Sequence, residues 1–454
     1  MCDQKRSAVP MDQSNATAEP TVSDRGKPSP SDESAQWRCN GDITRGRQPA
    51  SSRSPPGGIE AEHQNRPSPA GGTQDLDSWY DVIVVGSGLS GATIAERAAN
   101  QLNRKVLVID KRDHIGGNCY DYVGEEGIRM SRYGVHLFHT KSDRVWDYLS
   151  QFTEWVPYEH RVKARVDGKI VPVPPCQQTV NTLFDANVHS ESAMEQWLEQ
   201  RRVKNEQPAN GEEAALARAG PELYAKIFKH YTKKQWDKPP SDMDPSVLQR
   251  IPVRTNTDDR YFTDQHQALP KHGYTRIFEN MLYDNPNITV RTKVDFFTDQ
   301  LPNHNLLVFT GPIDAYYNKL GWPRLEYRSL VFEQEYHEPT DGYYQEALQV
   351  NYPGPEEPFT RIVEYKHQPN QPPCAQRTNG TLIYREYSVS GGDPYYPVPN
   401  KRNLELYEAY RQMAEKEDGV VFVGRLASYK YFNMDQATLN ALELFDELTA
   451  KNQI

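Results

Sequence analysis

Apolar positions are unevenly spread along the chain. Through residues 1–76 the large apolar side chains stand alone (Val9, Val22, Trp37, Ile43, Ile59, Leu76) among Ser, Gly, Gln, Asn and nine of the 34 prolines. Such a segment cannot bury enough surface to offset the entropy of ordering it, so it reads as a disordered N-terminal tail. The pattern changes at Tyr80. Tyr80-Asp81-Val82-Ile83-Val84-Val85 is a short β-branched run of the kind buried on both faces in a parallel sheet. Ala92–Ala99 predicts a helix, and Lys105–Ile109 predicts a second apolar strand ending in Asp110. Far downstream, Val420–Gly424 predicts a strand that returns to this first unit. In between, a polar stretch from Asn205 leads through an Ala-rich segment and Ala219-Gly220-Pro221 to Trp236, and Lys238-Pro239-Pro240-Ser241 breaks the chain beyond it. A helix-rich insert bounded by breakers can move over a site as a lid or form a static subdomain.

Composition sharpens this picture. The chain has 454 residues, with 52 Lys+Arg against 62 Asp+Glu, a net charge of −10. The tail holds nine basic and ten acidic residues, so the body carries 43 against 52, or −9. An acidic body argues against a nucleic-acid-binding surface but permits a local cationic pocket. Five widely spaced cysteines (Cys2, Cys39, Cys119, Cys176, Cys374) without a CxxC pair exclude a disulfide framework or zinc ribbon and suit a reducing compartment. No apolar run approaches the ~18 residues of a membrane span, and the N-terminus has no apolar signal core. A cytoplasmic protein without a membrane partner is expected.

The strand from Tyr80 runs directly into Gly86-Ser87-Gly88-Leu89-Ser90-Gly91. Gly86 permits the tight turn, Gly88 lets backbone approach a pyrophosphate, and Gly91 lets the helix pack on the strand. The helix N-terminus beyond offers free N–H groups and its positive dipole end to phosphates. Asp110, 24 residues after Gly86, stands where an acid accepts hydrogen bonds from ribose hydroxyls. Strand, glycines, helix, strand and acid together predict a bound dinucleotide. The next residues run Lys111-Arg112-Asp113-His114-Ile115-Gly116-Gly117-Asn118. An acid followed by R-x-x-x-G-G marks flavoproteins rather than nicotinamide dehydrogenases, so FAD is the expected cofactor.

From here the sequence resembles the UDP-galactopyranose mutases of the bacterial type. The resemblance is carried by VIVVGSGLSGA through KVLVIDKRDHIGGN, then Tyr133–Thr140 (YGVHLFHT), YTKKQW (Tyr231–Trp236), LQRIPVR (Leu248–Arg254) and DDRYF (Asp258–Phe262). It continues through Phe359-Thr360-Arg361, Tyr384–Tyr387, Pro394–Pro397 and VGRLASYKYFNMDQA (Val423–Ala437), covering essentially all of 79–454. The resemblance implies an α/β fold: a Rossmann-like FAD-binding domain, a helical lid subdomain and an antiparallel β-sheet substrate domain. The expected segments are a disordered tail over 1–76, an FAD-binding part over 77–160 and a mainly helical part with a mobile lid over 161–270. A mixed β-sheet part over 271–410 returns to the FAD domain, and 411–454 closes the cofactor site.

The activity implied is interconversion of UDP-galactopyranose and UDP-galactofuranose with no net redox change. Reduced flavin acts as nucleophile on the anomeric carbon, and an electron donor such as NAD(P)H keeps it reduced. A homodimer is expected. By the family's motifs, Arg250 and Arg361 clamp the diphosphate, for which arginine suits because it is always charged and can bind two oxygens at once. Tyr231, Thr232 and Asn351 fall in the nucleotide pocket, Trp236 on the lid, Tyr261 and Phe262 around the uracil, and Tyr396 and Tyr431 at the diphosphate. Cofactor positions are Gly86, Gly88, Gly91, Ala92, Asp110, Lys111, Gly117, Asn118, Phe138, His139, Arg425, Asn433 and Met434, with Asn433 as a helix cap. His160 stands where the bacterial pattern has Asn, and a sugar or nucleotide contact is expected to differ there. Asn433 stands where that pattern often has Asp. Glu386 matches a family acid without an assigned role, and Arg254 keeps a structural reading. His136 and His139 are spaced by three but have no third ligand, so no metal is expected.

Two other classes share the nucleotide fold. A flavin amine oxidase-like oxidoreductase would need an oxidisable substrate in place of a diphosphate. A non-catalytic module, like the chaperones of prenylated small GTPases, would not need the intact glycine segments.

Overall fold

In the computed structural model, residues 78–338 and 342–454 are described; the tail reading over 1–76, with Cys2 and Cys39, lies outside them. Five strands form an all-parallel sheet in the order Ile288–Thr292, Val106–Asp110, Trp79–Val85, Asn303–Phe309, Val420–Phe422. The strand core is apolar on both faces, with Val82, Ile83, Val84, Val106, Leu107, Val108 and Val308 fully buried. Helices must therefore cover it, as parallel sheets require. Helix Leu89–Leu102 buries Ala92, Ile94, Ala95, Ala98 and Ala99 against it, and helix Met434–Ala450 adds Ala441, Leu442, Phe445 and Leu448 to the same core. The small side chains of the first helix let it lie close to the strand. At Gly91 a Cβ would stand 2.0 Å from the Gly86 carbonyl oxygen.

The second layer is a seven-stranded sheet in the order Tyr396–Pro397, Tyr327–His337, Thr381–Ser390, Arg361–Glu364, Gln349–Asn351, Val162–Val166, Lys169–Val173. Neighbours are antiparallel except Gln349–Asn351 with Val162–Val166, which is parallel. Two expected boundaries are corrected here. Residues 162–173 belong to this sheet and not to a helical part beginning at 161. Helix Tyr274–Leu282 and strands Ile288–Thr292 and Asn303–Phe309 belong to the parallel unit and not to the substrate sheet. The reason is burial: Ile277, Phe278, Met281 and Leu282 pack into the same core as Val82 and Ala95.

Helices fill the stretch between Gln177 and Gln249. Helix Gly211–Leu223 kinks at Gly220 (φ 73°) before Pro221, passes through a π-helical segment Tyr224–Lys229 and continues as helix His230–Trp236. Leu223, Tyr224, Ile227 and Phe228 pack against Val162, Ala164, Val171 and Val173 of the sheet.

Two of the three fingerprint glycines make opposite demands. Gly91→Ala is expected to cost about 1–3 kcal/mol, because its methyl group meets backbone that cannot rotate away. Gly88→Ala meets nothing nearer than Gly117 Cα at 3.7 Å and is expected to leave thermal unfolding unchanged. Calorimetric melts of the two variants check this, and equal losses would contradict the packing described.

Candidate active site

A cleft of about 690 Å³ opens at the carboxyl ends of the parallel strands, where Val85, Ile109, Asp110 and Phe309 end. Its floor is glycine. A Cβ on Gly117 (φ +56°) would lie 2.9 Å from Gly88 Cα, so any side chain at either position fills the cradle. Two helix N-termini face the cleft: Leu89, Ser90 and Gly91 from one, Asn433 and Met434 from the other. Both present positive dipole ends, and Arg425 lines the wall between them. Asp110 is buried. Its Oδ2 accepts from Ser87 N (2.9 Å) and Ser87 Oγ (2.6 Å), and its Oδ1 accepts from Arg112 N (3.0 Å). A carboxylate so fixed keeps lone-pair capacity for one more donor. Glycine floor, helix termini and anchored acid fit a dinucleotide.

Gly86, Gly88, Gly91, Asp110, Lys111, Gly117, Asn118, Arg425, Asn433 and Met434 all line this cleft. Ala92, Phe138 and His139 do not. Ala92 is fully buried behind it. Phe138 stacks on Trp155 at 4.8 Å. His139 holds Asp264 Oδ2 with Nδ1 (2.7 Å) and stacks on Phe262 at 3.6 Å. From the same segment it is His136 that reaches the cleft. Its Nδ1 pairs with the Gly134 carbonyl (2.8 Å), and burial lowers its pKa to about 4 despite that bond, so the ring is neutral. Arg112 also lines the cleft, lying 4.0 Å over Tyr133 and donating to Asn118 Oδ1 (2.9 Å). Lys111 is exposed and paired with Asp393 (2.9 Å).

Beyond His136 stands the seven-stranded sheet. Its register sets Asn351, Arg361 and Glu386 in one cross-strand row, and directly paired residues share a face. Arg361 Nη2 donates to Glu386 Oε1 at 2.6 Å. Burial opposes the guanidinium's charge, and Glu386 more than restores it, holding Arg361 well above the ordinary arginine pKa. Arg361 Nε and Glu386 Oε2 are buried without partners, and so is His160 Nε2. Hydrogen-bonding capacity is thus left over in and beside the row. Gly134 (φ +92°) covers Glu386, since a Cβ there would lie 3.5 Å from Oε2.

Tyrosines enclose the row. Tyr396 and Tyr431 stack at 5.0 Å, and the Arg250 guanidinium lies 3.9 Å over Tyr431 while donating to Asn433 Oδ1 (3.2 Å). Arg425 lies over the same pair at 5.6 and 5.3 Å. Burial raises the pKa of Tyr231, Tyr261 and Tyr396, with Arg361 opposing it at each and Arg250 also at Tyr261. Tyr261 packs edge-on against Phe262 at 4.9 Å. His139 covers one face of Phe262. Tyr231, Thr232, Trp236 and Asn351 line a cavity of about 50 Å³ between helix and sheet. Trp236 is buried against Met243 and Val398. His160 is buried beside Tyr261 (5.8 Å), its pKa lowered to about 3 by burial. Arg254 donates to the Asp258 carbonyl (2.8 Å) and shapes its own loop. Among the described residues no group of three or more His, Cys, Asp or Glu could hold a metal, and no helix is long and apolar enough to cross a membrane.

Of the expected residues, the structure joins Arg361, Asn351, Tyr231, Tyr261, Tyr396 and His160 about one buried charge, with Arg250 entering through Tyr431. Glu386 is the residue the motifs left without a task. Its pairing depends on register between strands, which no local spacing reveals.

A parallel sheet with a glycine-floored cleft, joined to an arginine-and-tyrosine pocket, defines a Rossmann-type dinucleotide-binding enzyme. A family model for NAD(P)-binding Rossmann-like domains matches residues 84–152, and one for UDP-galactopyranose mutase matches 226–431. A probable UDP-galactopyranose mutase of Klebsiella pneumoniae is 38% identical over 371 residues, 81% of this chain and 94% of that one. A dTDP-fucopyranose mutase of Escherichia coli is 36% identical over 374 residues, 80% of this chain and 96% of that one. A crystal structure of reduced UDP-galactopyranose mutase superposes with a TM-score of 0.65 at 17% identity, covering 82% of this chain and 94% of that one, and so shares the fold. The chain belongs to the UDP-galactopyranose mutase family and is an isomerase, and family and Rossmann cleft together indicate a flavin cofactor.

The buried imidazole of His160 predicts a pH dependence. The unfolded ring takes up a proton near pH 6.5, whereas the folded one does so only near 3. Between these values the unfolded chain binds more protons, so acidification lowers stability, by up to about 1.4 kcal/mol per pH unit. His160→Asn should lessen the slope of urea-unfolding stability between pH 6.5 and 4.5, leaving the part due to His136. An unchanged slope would show that His160 is not a buried neutral base.

Proposed function

We propose that the chain interconverts UDP-galactopyranose and UDP-galactofuranose without net redox change, using FAD. The observation that supports this most strongly is the ion pair beside the cofactor cleft: Arg361, largely buried and held charged by Glu386, with one polar atom of each partner unpaired. FAD would be held by Gly86, Gly88, Gly91 and Gly117 under its phosphates, by Asp110 and by Arg425. Asn433 and Met434 would meet it at the second helix end, and His136, rather than Phe138 or His139, would face it from the Tyr133–Thr140 segment. When bound and reduced, it supplies the nucleophile for the anomeric carbon.

The chain's own residues then have three tasks. Arg361 and Arg250 bind the diphosphate and stabilise charge as it departs, which is worth most in a site that excludes water. Tyr396 and Tyr431 present hydroxyls at the same diphosphate. Tyr261 and Phe262 receive the uracil, while Tyr231, Thr232, Trp236, Asn351 and His160 wall the nucleotide and sugar and exclude water. Holding both ends of the substrate keeps the departed diphosphate in place to return. The same reading takes the enzyme as a cytoplasmic homodimer kept reduced by a donor of the NAD(P)H class.

Dithionite-reduced protein incubated with UDP-galactofuranose should yield UDP-galactopyranose by chromatography, without stoichiometric consumption of reductant. Reductant consumed one-for-one with product would favour the oxidoreductase reading. Protein that cannot be reconstituted with FAD would favour the binding module. With dTDP-fucopyranose as a second substrate, faster turnover than with the UDP sugar would move the assignment to that relative's donor. Arg361→Ala should lower kcat by about 10²-fold or more while FAD stays bound. Near-normal turnover would remove Arg361 from the clamp.

A further inference from the structure

Helix His230–Trp236 carries Tyr231, Thr232 and Trp236 toward the active site. From the same helix Lys234 reaches the connection that follows Asn351. Its ammonium donates to three backbone carbonyls: Tyr352, Glu357 (3.0 Å) and Phe359 (3.0 Å). An ammonium has three N–H donors, and here each has a carbonyl. Those carbonyls belong to one loop, the connection between strands Gln349–Asn351 and Arg361–Glu364. The loop begins just after Asn351 and ends just before Thr360-Arg361. Lys234 therefore gathers the two ends of the hairpin from which Asn351 and Arg361 project.

The helix has a separate anchor. Buried Arg328 donates Nε to the Gln235 carbonyl (3.0 Å) and Nη2 to the Ser388 carbonyl (3.0 Å), and Ser388 Oγ donates to the Gln235 carbonyl (2.5 Å). Arg328 fixes the helix to strands Tyr327–His337 and Thr381–Ser390, while Lys234 fixes the hairpin to the helix. Losing Lys234 would leave the helix docked and the core intact, but it would free the loop that aims Arg361. Burial lowers the Lys234 pKa to about 8, opposed by Glu356 and Glu357, in keeping with a drawn-in ammonium.

We infer that Lys234 is a positioning residue for diphosphate binding: its ammonium closes the Asn351–Arg361 hairpin onto the nucleotide-binding helix and sets the aim of Arg361. This rests on the reading of Arg361 as the diphosphate clamp.

The test is a double-mutant cycle on the FAD-loaded full chain, with UDP affinity by calorimetry and kcat and KM with UDP-galactofuranose. Lys234→Met should weaken UDP binding about tenfold while FAD content and Tm stay near wild type. In the Arg361→Ala background the same substitution should change UDP affinity less than about twofold, because its effect passes through Arg361. Lys234→Arg should recover most of the affinity. Should Lys234→Met fail to fold, Lys234→Gln, which keeps two N–H donors, is taken through the same cycle. Effects that multiply in the double variant, or a Lys234 variant that binds UDP like wild type, overturn the assignment. Wild-type protein that binds no UDP overturns the reading of function beneath it, which separates the two failures.

Discussion

A guanidinium held in the interior of a sheet is the constraint around which this molecule is arranged. Moving an ion out of water is costly, and an arginine kept charged there needs a counter-charge at contact distance. Glu386 is that counter-charge, delivered by the antiparallel register of two neighbouring strands. The pair is incomplete, since each partner keeps a buried polar atom without a mate. A fold serving stability alone would have closed those valences or replaced the pair with hydrocarbon. Gly134 above Glu386, the tyrosines around Arg361 and the neutral His160 nearby all read as the enclosure of an unfinished ion pair.

The same constraint accounts for the electrostatic layout. The chain carries ten more acids than bases, yet several of its cations converge. Exposed Arg250 and the half-buried Arg361 and Arg425 meet at one tyrosine wall, while Lys234 donates to three backbone carbonyls and Arg328 to carbonyls and serine hydroxyls. Net charge describes the solvated face. Affinity for an anion depends on which cations have been taken out of water, and with which partners.

Much of this was legible in the sequence where the chemistry is local. The strand–glycine–helix–strand–acid unit is contiguous, so Gly86, Gly88, Gly91, Gly117 and Asp110 fall in the cleft their order implied. Asn433 begins a helix there as its position suggested, and Gln436 Oε1 accepts from its N–H. What could not be read is long-range. Val162–Val166 pairs with Gln349–Asn351, so the sheet recruits strands from before the helical stretch, and no boundary drawn along the chain could show it. Phe138 and His139 sit in a motif placed beside the cofactor, but their side chains turn into the aromatic cluster of Trp155 and Phe262, leaving His136 to face the cleft. The Lys234 cage is built from carbonyl oxygens, which every residue possesses and no motif can mark.

Helix Met434–Ala450 makes the cleft a closure between distant parts of the sequence. Strand Val420–Phe422 and helix Met434–Ala450 complete both the parallel layer and one wall of the cleft, whereas the opposite wall comes from the strand–glycine–helix unit that begins at Trp79. A chain cut short by a few dozen residues would keep the glycine floor, Arg250 and Arg361 and yet hold only half of the cleft's enclosure.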